Sequence, residues 1–238
     1  MKFKFLPNLI TLFNLFLGCI VTLLLIENNL DVREVFIITV ICLVLDYLDG
    51  YLARRLNAKS DIGIQLDSLA DLVSFGLVPG ILMYNMFNEA PSSSIGSISA
   101  SFIPFIGFVI TLCSAYRLAR YNTRKSKLKF FRGLPTPANA VLIYSLAIIS
   151  AEGNAFSNII LDYNILMLIV ILSSILLVSN LKLLNFKFKS LKFKGNRRRF
   201  FLIFISIPSL IILGIYAIPL VLSFYVIISI FTFYRLKN

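Results

Sequence analysis

Residues 35–71 read VFIITVICLVLDYLDGYLARRLNAKSDIGIQLDSLAD. An uncharged run, Val35–Leu45, leads into Asp46 and Asp49. A short polar turn follows, and a second helical pattern then carries Asp67 and Asp71. The spacings are i, i+3 and i, i+4, so each aspartate pair shares one face of its helix. One helix ends where its carboxylates lie and the next begins there. Both pairs are therefore expected at similar depth near the same membrane surface. A charged side chain within a transmembrane segment costs about 2.5–3.5 kcal/mol on insertion scales, and four facing carboxylates also repel one another. No Lys or Arg lies within either pair, and the chain has no histidine. A hard divalent cation held by oxygen ligands, Mg²⁺ or Mn²⁺, is the simplest compensation. Four carboxylates suffice for a two-metal site of the phosphoryl-transfer kind. The competing reading is the ion pathway of a cation-coupled transporter, but such sites usually lie at the midplane between repeated halves. This chain shows no internal repeat and no second cluster.

The rest of the chain fits lipid as its solvent. Of 238 residues, 58% are hydrophobic and 14% charged, with a mean hydropathy of +0.89. Soluble domains carry about 25% charged residues. The net charge of +12 lies in short loops between apolar runs, which suits anionic headgroups and argues against a nucleic-acid partner. Cys19, Cys42 and Cys113 sit inside apolar runs without zinc-site or disulfide spacing and read as small buried hydrophobes. The segment from Lys2 to Cys19 mimics a lipoprotein signal. Its large residues before Gly18 do not suit cleavage, so it reads as an uncleaved first helix.

A membrane helix needs about 20 apolar residues. Such runs fall at Asn8–Ile26, Val35–Tyr51, Leu69–Phe87, Ile98–Leu118, Pro137–Ala151 and Ile159–Ser179. No charge occurs from Phe200 to Tyr234, and Gly214 and Pro219 there suggest a turn. The expected fold is an all-α, polytopic transmembrane bundle of six core helices with a C-terminal two-helix hairpin. It divides into a membrane domain (1–180), a basic cytoplasmic linker (181–199) and the hairpin (200–238). This layout puts every Lys and Arg except Arg33 on one side, and Glu27, Asp31, Glu34, Glu89, Glu152 and Asp162 on the other. By the positive-inside rule both termini are expected in the cytoplasm, as for an integral protein of a bacterial inner membrane.

Gly50 and Ala53 follow Asp49 on the same helix. Glycine in a helix interior costs about 1 kcal/mol against alanine, so it has a reason to be there: close approach of either a ligand or a neighbouring helix. Arg54 stands at the membrane surface, either as a phosphate ligand or as a topology anchor. The stretch from Asp46 to Asp71 resembles the signature of the CDP-alcohol phosphatidyltransferases, D-x-x-D-G-x-x-A-R-x(8)-G-x-x-x-D-x-x-x-D. All eight fixed positions match. The resemblance implies a usually homodimeric enzyme with two metal ions on Asp46, Asp49, Asp67 and Asp71. It implies that Asp49, Gly50, Ala53, Arg54 and Gly63 bind the cytidine diphosphate. It makes Asp71 the base on the acceptor hydroxyl.

Three segments further resemble the family members that transfer to serine: Pro7–Gly18, Asp71–Pro79, and Tyr116–Asn122 with Phe131–Ala138. Relatives that use glycerol 3-phosphate carry arginine where Asn14 stands. The implied substrates are CDP-diacylglycerol and L-serine, with glycerol 3-phosphate or inositol phosphate as alternative acceptors. Asn8, Thr11, Asn14, Arg117 and Arg120 are the candidate acceptor or lipid-phosphate residues.

Overall fold

A computed structural model describes residues 4–27, 31–91, 102–123, 131–184 and 197–235. The start of the fourth expected span and most of the basic linker lie outside the described residues. The chain forms the expected all-α polytopic bundle. Its first two helices are α1 (Leu6–Ile26) and α2 (Val32–Arg55). A capping box starts α2, with the Asp31 N–H donating to Glu34 at 3.1 Å. The Ser60 hydroxyl accepts from the Gly63 N–H at 3.0 Å and caps α3 (Asp61–Leu72). A π turn, Val73–Leu77, joins α3 to α4 (Val78–Glu89). Pro79 has no N–H and cannot continue the i→i−4 ladder, and the Val78 N–H reaches back to Val73 O.

A 3₁₀ segment, Ile103–Phe108, leads into α5 (Val109–Asn122). Then come α6 (Thr136–Ala151), the short α7 (Ala155–Ile160) and α8 (Tyr163–Val178). The expected span Ile159–Ser179 is thus broken. The Asp162 carboxylate accepts from the N–H groups of Asn164 and Ile165, which starts a new helix where an unbroken apolar run is read from composition. Helices α9 (Arg197–Leu213) and α10 (Ala217–Arg235) pack together. Gly214, at φ +55°, turns the chain between them. Two-residue strands β1 (Phe131–Arg132) and β2 (Lys182–Leu183) pair antiparallel.

Among the described residues, five stretches are long and apolar enough to cross a membrane: Leu6–Ile26, Val32–Arg55, Asp61–Glu89, Ile103–Asn122 and Arg199–Thr232. Helices α6 and α8 are apolar but only 16 residues each. Asp61–Glu89 has 29 residues, about 43 Å of contour at about 1.5 Å per residue. A bilayer core is about 30 Å thick, so this stretch is long enough to cross it with tilt to spare.

The core gathers around α4, where Val78, Leu82, Met83, Met86 and Phe87 are all buried and meet Tyr144, Leu166 and Val170. Close backbone approach holds it. A Cβ on Gly107 would lie 2.9 Å from both Gly80 O and Tyr84 N, which are backbone atoms that cannot turn aside. Arg33, the one base outside the expected charge pattern, pairs with Glu152 at 3.2 Å. The hydroxyl of Tyr216 also donates to Glu152, so this cluster ties the start of α2 to the turn before α10.

Gly107→Ala is expected to cost about 1–3 kcal/mol through overpacking. Gly50→Ala should leave stability unchanged or raise it, since alanine is the better helix former by about 1 kcal/mol. Thermal midpoints of the detergent-solubilised protein check this. Equal losses in both variants would contradict the packing account.

Candidate active site

Helix α1 lies against both α2 and α3, and the carboxylates converge there. One carboxylate oxygen from each of Asp46, Asp49 and Asp67 lies within 4.8 Å of the others. The Thr11 hydroxyl donates to Asp49 Oδ2 at 2.5 Å. Asp71 lies one turn further along α3, and its Oδ1 is buried without a hydrogen-bond partner. Among the described residues, no Lys or Arg lies within ion-pair distance of these four groups. The donor set is oxygen only, so it fits a hard divalent cation such as Mg²⁺ or Mn²⁺. Asp71 brings an unused oxygen to the same place.

The four aspartates line a cavity of about 610 Å³ together with Gly50, Ala53, Arg54 and Gly63, a volume within the range of small-ligand sites. The two glycines serve it differently. A Cβ on Gly50 would meet only Arg54 Nη1, at 3.5 Å, so that face is open to the cavity. A Cβ on Gly63 would meet Asn8 Oδ1 at 3.0 Å and Ser60 Oγ at 3.1 Å. Gly63 lets α3 approach α1.

The opposite wall comes from α5 and the start of α6. Arg117 Nη1 donates to Thr136 Oγ1 at 3.0 Å, while Arg117 Nε is buried and unpartnered. Asn122 donates to Ser68 Oγ at 2.8 Å and bridges α5 to α3. One turn deeper, the Ser114 hydroxyl and both amide atoms of Asn139 are buried without partners. Buried polar groups are usually hydrogen-bonded, and these unused atoms lie behind the wall without lining the cavity.

The acceptor candidates separate. Asn8, Thr11 and Arg117 line the cavity. Asn14 lies beneath it, buried, with its Oδ1 accepting from Ser74 Oγ at 3.0 Å. Arg120 turns to Val178 O at 3.0 Å and to Asn180. Thr136, Ser68 and Asn139 are additions that residue types alone did not single out. Thr136 and Asn122 do sit within the serine-like segments, and Asn139 directly follows one of them.

A family model described as CDP-alcohol phosphatidyltransferase matches residues 4–177. The chain belongs to this family. This phosphatidyltransferase is 37% identical over 138 residues to a CDP-diacylglycerol–serine O-phosphatidyltransferase of Bacillus subtilis, covering 56% of this chain and 70% of the relative. It is 33% identical over 177 residues to the protein so named in Helicobacter pylori strain 26695, covering 71% of this chain and 70% of the relative. An archaetidylserine synthase of Methanothermobacter thermautotrophicus is 34% identical over 147 residues, 60% of this chain and 58% of the relative.

In the transferase, Gly50→Leu should abolish CDP binding in isothermal titration with the thermal midpoint retained. Gly63→Leu should lower the midpoint, because the new side chain strikes Asn8 and Ser60. CDP binding intact in Gly50→Leu would show that the open face of α2 is not used by the nucleotide.

Proposed function

We propose that this transferase moves the phosphatidyl group from CDP-diacylglycerol to L-serine, giving phosphatidylserine and CMP at the cytoplasmic membrane surface. The observation that carries the proposal is a single cavity walled on one side by four carboxylates and on the other by a buried arginine with a free N–H. The names of the relatives support the substrates.

Asp46, Asp49, Asp67 and Asp71 would hold two divalent ions, Mg²⁺ or Mn²⁺. When bound, such ions supply positive charge to the donor pyrophosphate and to the departing phosphate. The Thr11 hydroxyl fixes the orientation of Asp49, the kind of outer contact that tunes a ligand. The open face at Gly50 and Ala53 admits the cytidine diphosphate, and Arg54 at the mouth binds its phosphates. The serine hydroxyl oxygen then forms a bond to the phosphorus that bears diacylglycerol. The bond from that phosphorus to the CMP oxygen breaks, and Asp71 takes the hydroxyl proton. Arg117 holds the serine carboxylate through charge-assisted hydrogen bonds. An acceptor without a phosphate needs no second cation in the pocket, which suits Asn14 in the place of an arginine.

In the same reading both termini are cytoplasmic and the protein is a homodimer in a bacterial inner membrane. Residues 1–180 are the catalytic membrane domain, 181–199 a basic linker and 200–238 a hairpin.

Excess EDTA should abolish CMP release, and added Mg²⁺ or Mn²⁺ should restore it. Turnover that persists in EDTA would overturn the metal reading. Asp71→Asn should lose kcat while retaining metal-dependent donor binding, whereas Asp46→Asn, Asp49→Asn and Asp67→Asn should lose donor binding. Equal loss of donor binding in all four would remove the separate proton-accepting role.

Arg117→Ala should raise the KM for serine by about 10–100-fold, the loss expected for one charged hydrogen bond. Arg120→Ala should leave that KM within about twofold, because Arg120 is held by Val178 O and Asn180 and does not line the cavity. Steady-state CMP release with serine and with glycerol 3-phosphate checks both points. Glycerol 3-phosphate as the better acceptor would overturn the assignment of serine.

A further inference from the structure

The family match ends at residue 177, so the C-terminal hairpin lies beyond it. Its second helix nevertheless reaches back toward the site. On α10, the Tyr225 hydroxyl donates to Leu184 O at 2.8 Å. One turn on, Ser229 Oγ accepts from Leu184 N at 3.2 Å. Both side chains are buried, Ser229 completely. Two side chains on one face of α10 thus hold both main-chain groups of a single residue.

Leu184 directly follows β2, in which Leu183 and Lys182 pair with Phe131 and Arg132 of β1. The chain after β1 is pinned as well. Gly133 N donates to Leu181 O and Leu134 N to Leu176 O, each at 2.9 Å. Leu134, Leu183, Leu184, Leu202 and Tyr225 close over this junction as a second buried cluster. Gly133 has φ +70°, and a Cβ there would lie 2.7–3.0 Å from the carbonyl oxygens of Leu177, Leu176 and Ser179. This segment therefore has little freedom to readjust. The next residues, Pro135, Thr136 and Pro137, line the cavity, and Thr136 carries the hydroxyl that receives Arg117.

We propose that Tyr225 and Ser229 are positioning residues for the acceptor side of the site. They fix Leu184, and through the β1–β2 ribbon they set where Thr136 stands and so how Arg117 is aimed. The inference rests on the proposed reading of Arg117 as the acceptor's cation. The carboxylate wall, built from α2 and α3, does not depend on this path.

The test uses the full chain in lipid nanodiscs with Tyr225→Phe, Ser229→Ala, their combination, and Ser229→Thr, which keeps a hydroxyl. Hydrogen–deuterium exchange is followed on peptides covering 131–137, where Pro135 and Pro137 contribute no amide. The combined variant is expected to exchange Gly133 and Leu134 about tenfold faster and to raise the serine KM about five- to tenfold, the scale of one or two lost hydrogen bonds. The KM for CDP-diacylglycerol should stay within about twofold, and Ser229→Thr should behave as wild type. Unchanged exchange at 131–137 overturns the inference whatever the acceptor is. So does faster exchange with an unchanged acceptor KM, or an equal rise in both KM values. If wild type turns over another alcohol in place of serine, the acceptor assignment fails by itself, and the same comparison is read with that alcohol.

Discussion

Three carboxylates with oxygens within 4.8 Å of one another, and a fourth one turn away, repel strongly wherever water is scarce. The fold has to hold them there, and the surrounding structure follows from that demand. Helix α1 contributes no acid of its own between Leu6 and Ile26. It wedges against α2 and α3 and gives Asp49 a hydroxyl through Thr11. Asp61–Glu89 carries its aspartates, Asp61, Asp67 and Asp71, in the half that lies against α1. The interior end of the same stretch, α4, is among the most deeply buried parts of the bundle. One continuous stretch therefore joins the carboxylates to the core.

Association of helices in lipid gains little from hydrophobic burial, because the alternative surroundings are equally apolar. Close contact has to come from shape. Gly107 on Gly80, and Gly18 on Ser74, show how this chain achieves it. These contacts lock α4 against the 3₁₀ segment and the π turn against α1. The site above them thus sits on a floor that does not give. From the far end of the sequence, Tyr225 and Ser229 hydrogen-bond the main chain of Leu184, beside the ribbon that leads to Thr136.

The carboxylate site was legible because helical periodicity alone puts Asp46 with Asp49 and Asp67 with Asp71, and a short turn makes their helices neighbours. The apolar runs likewise marked most helices to within a few residues. What could not be read there depended on partners distant in sequence. Arg117 and Arg120 are three apart on one helix, yet Thr136 draws one to the cavity and Val178 and Asn180 draw the other away. Gly63 lines the cavity, and its missing side chain also makes room for Asn8 of α1, far away in sequence. Asp162 is a local case instead: it sits inside an apolar run and caps α8 through the N–H groups of Asn164 and Ile165.

The π turn at Val73–Leu77 has a consequence for how this helix can vary. Relative to a continuous α-helix it holds one residue too many, and one residue is worth about 100° of rotation. The wider π turn takes up that rotation locally, so the aspartates before it and the core residues after it keep the relative phase of an unbroken helix one residue shorter. Removing any one residue of the turn would leave a regular helix of nearly the same length and composition. It would also leave the acidic face and the core near their present directions. The turn is therefore the place where this helix could lose a residue and keep both faces aligned, although Ser74, Phe75 and Gly76 within it are all buried.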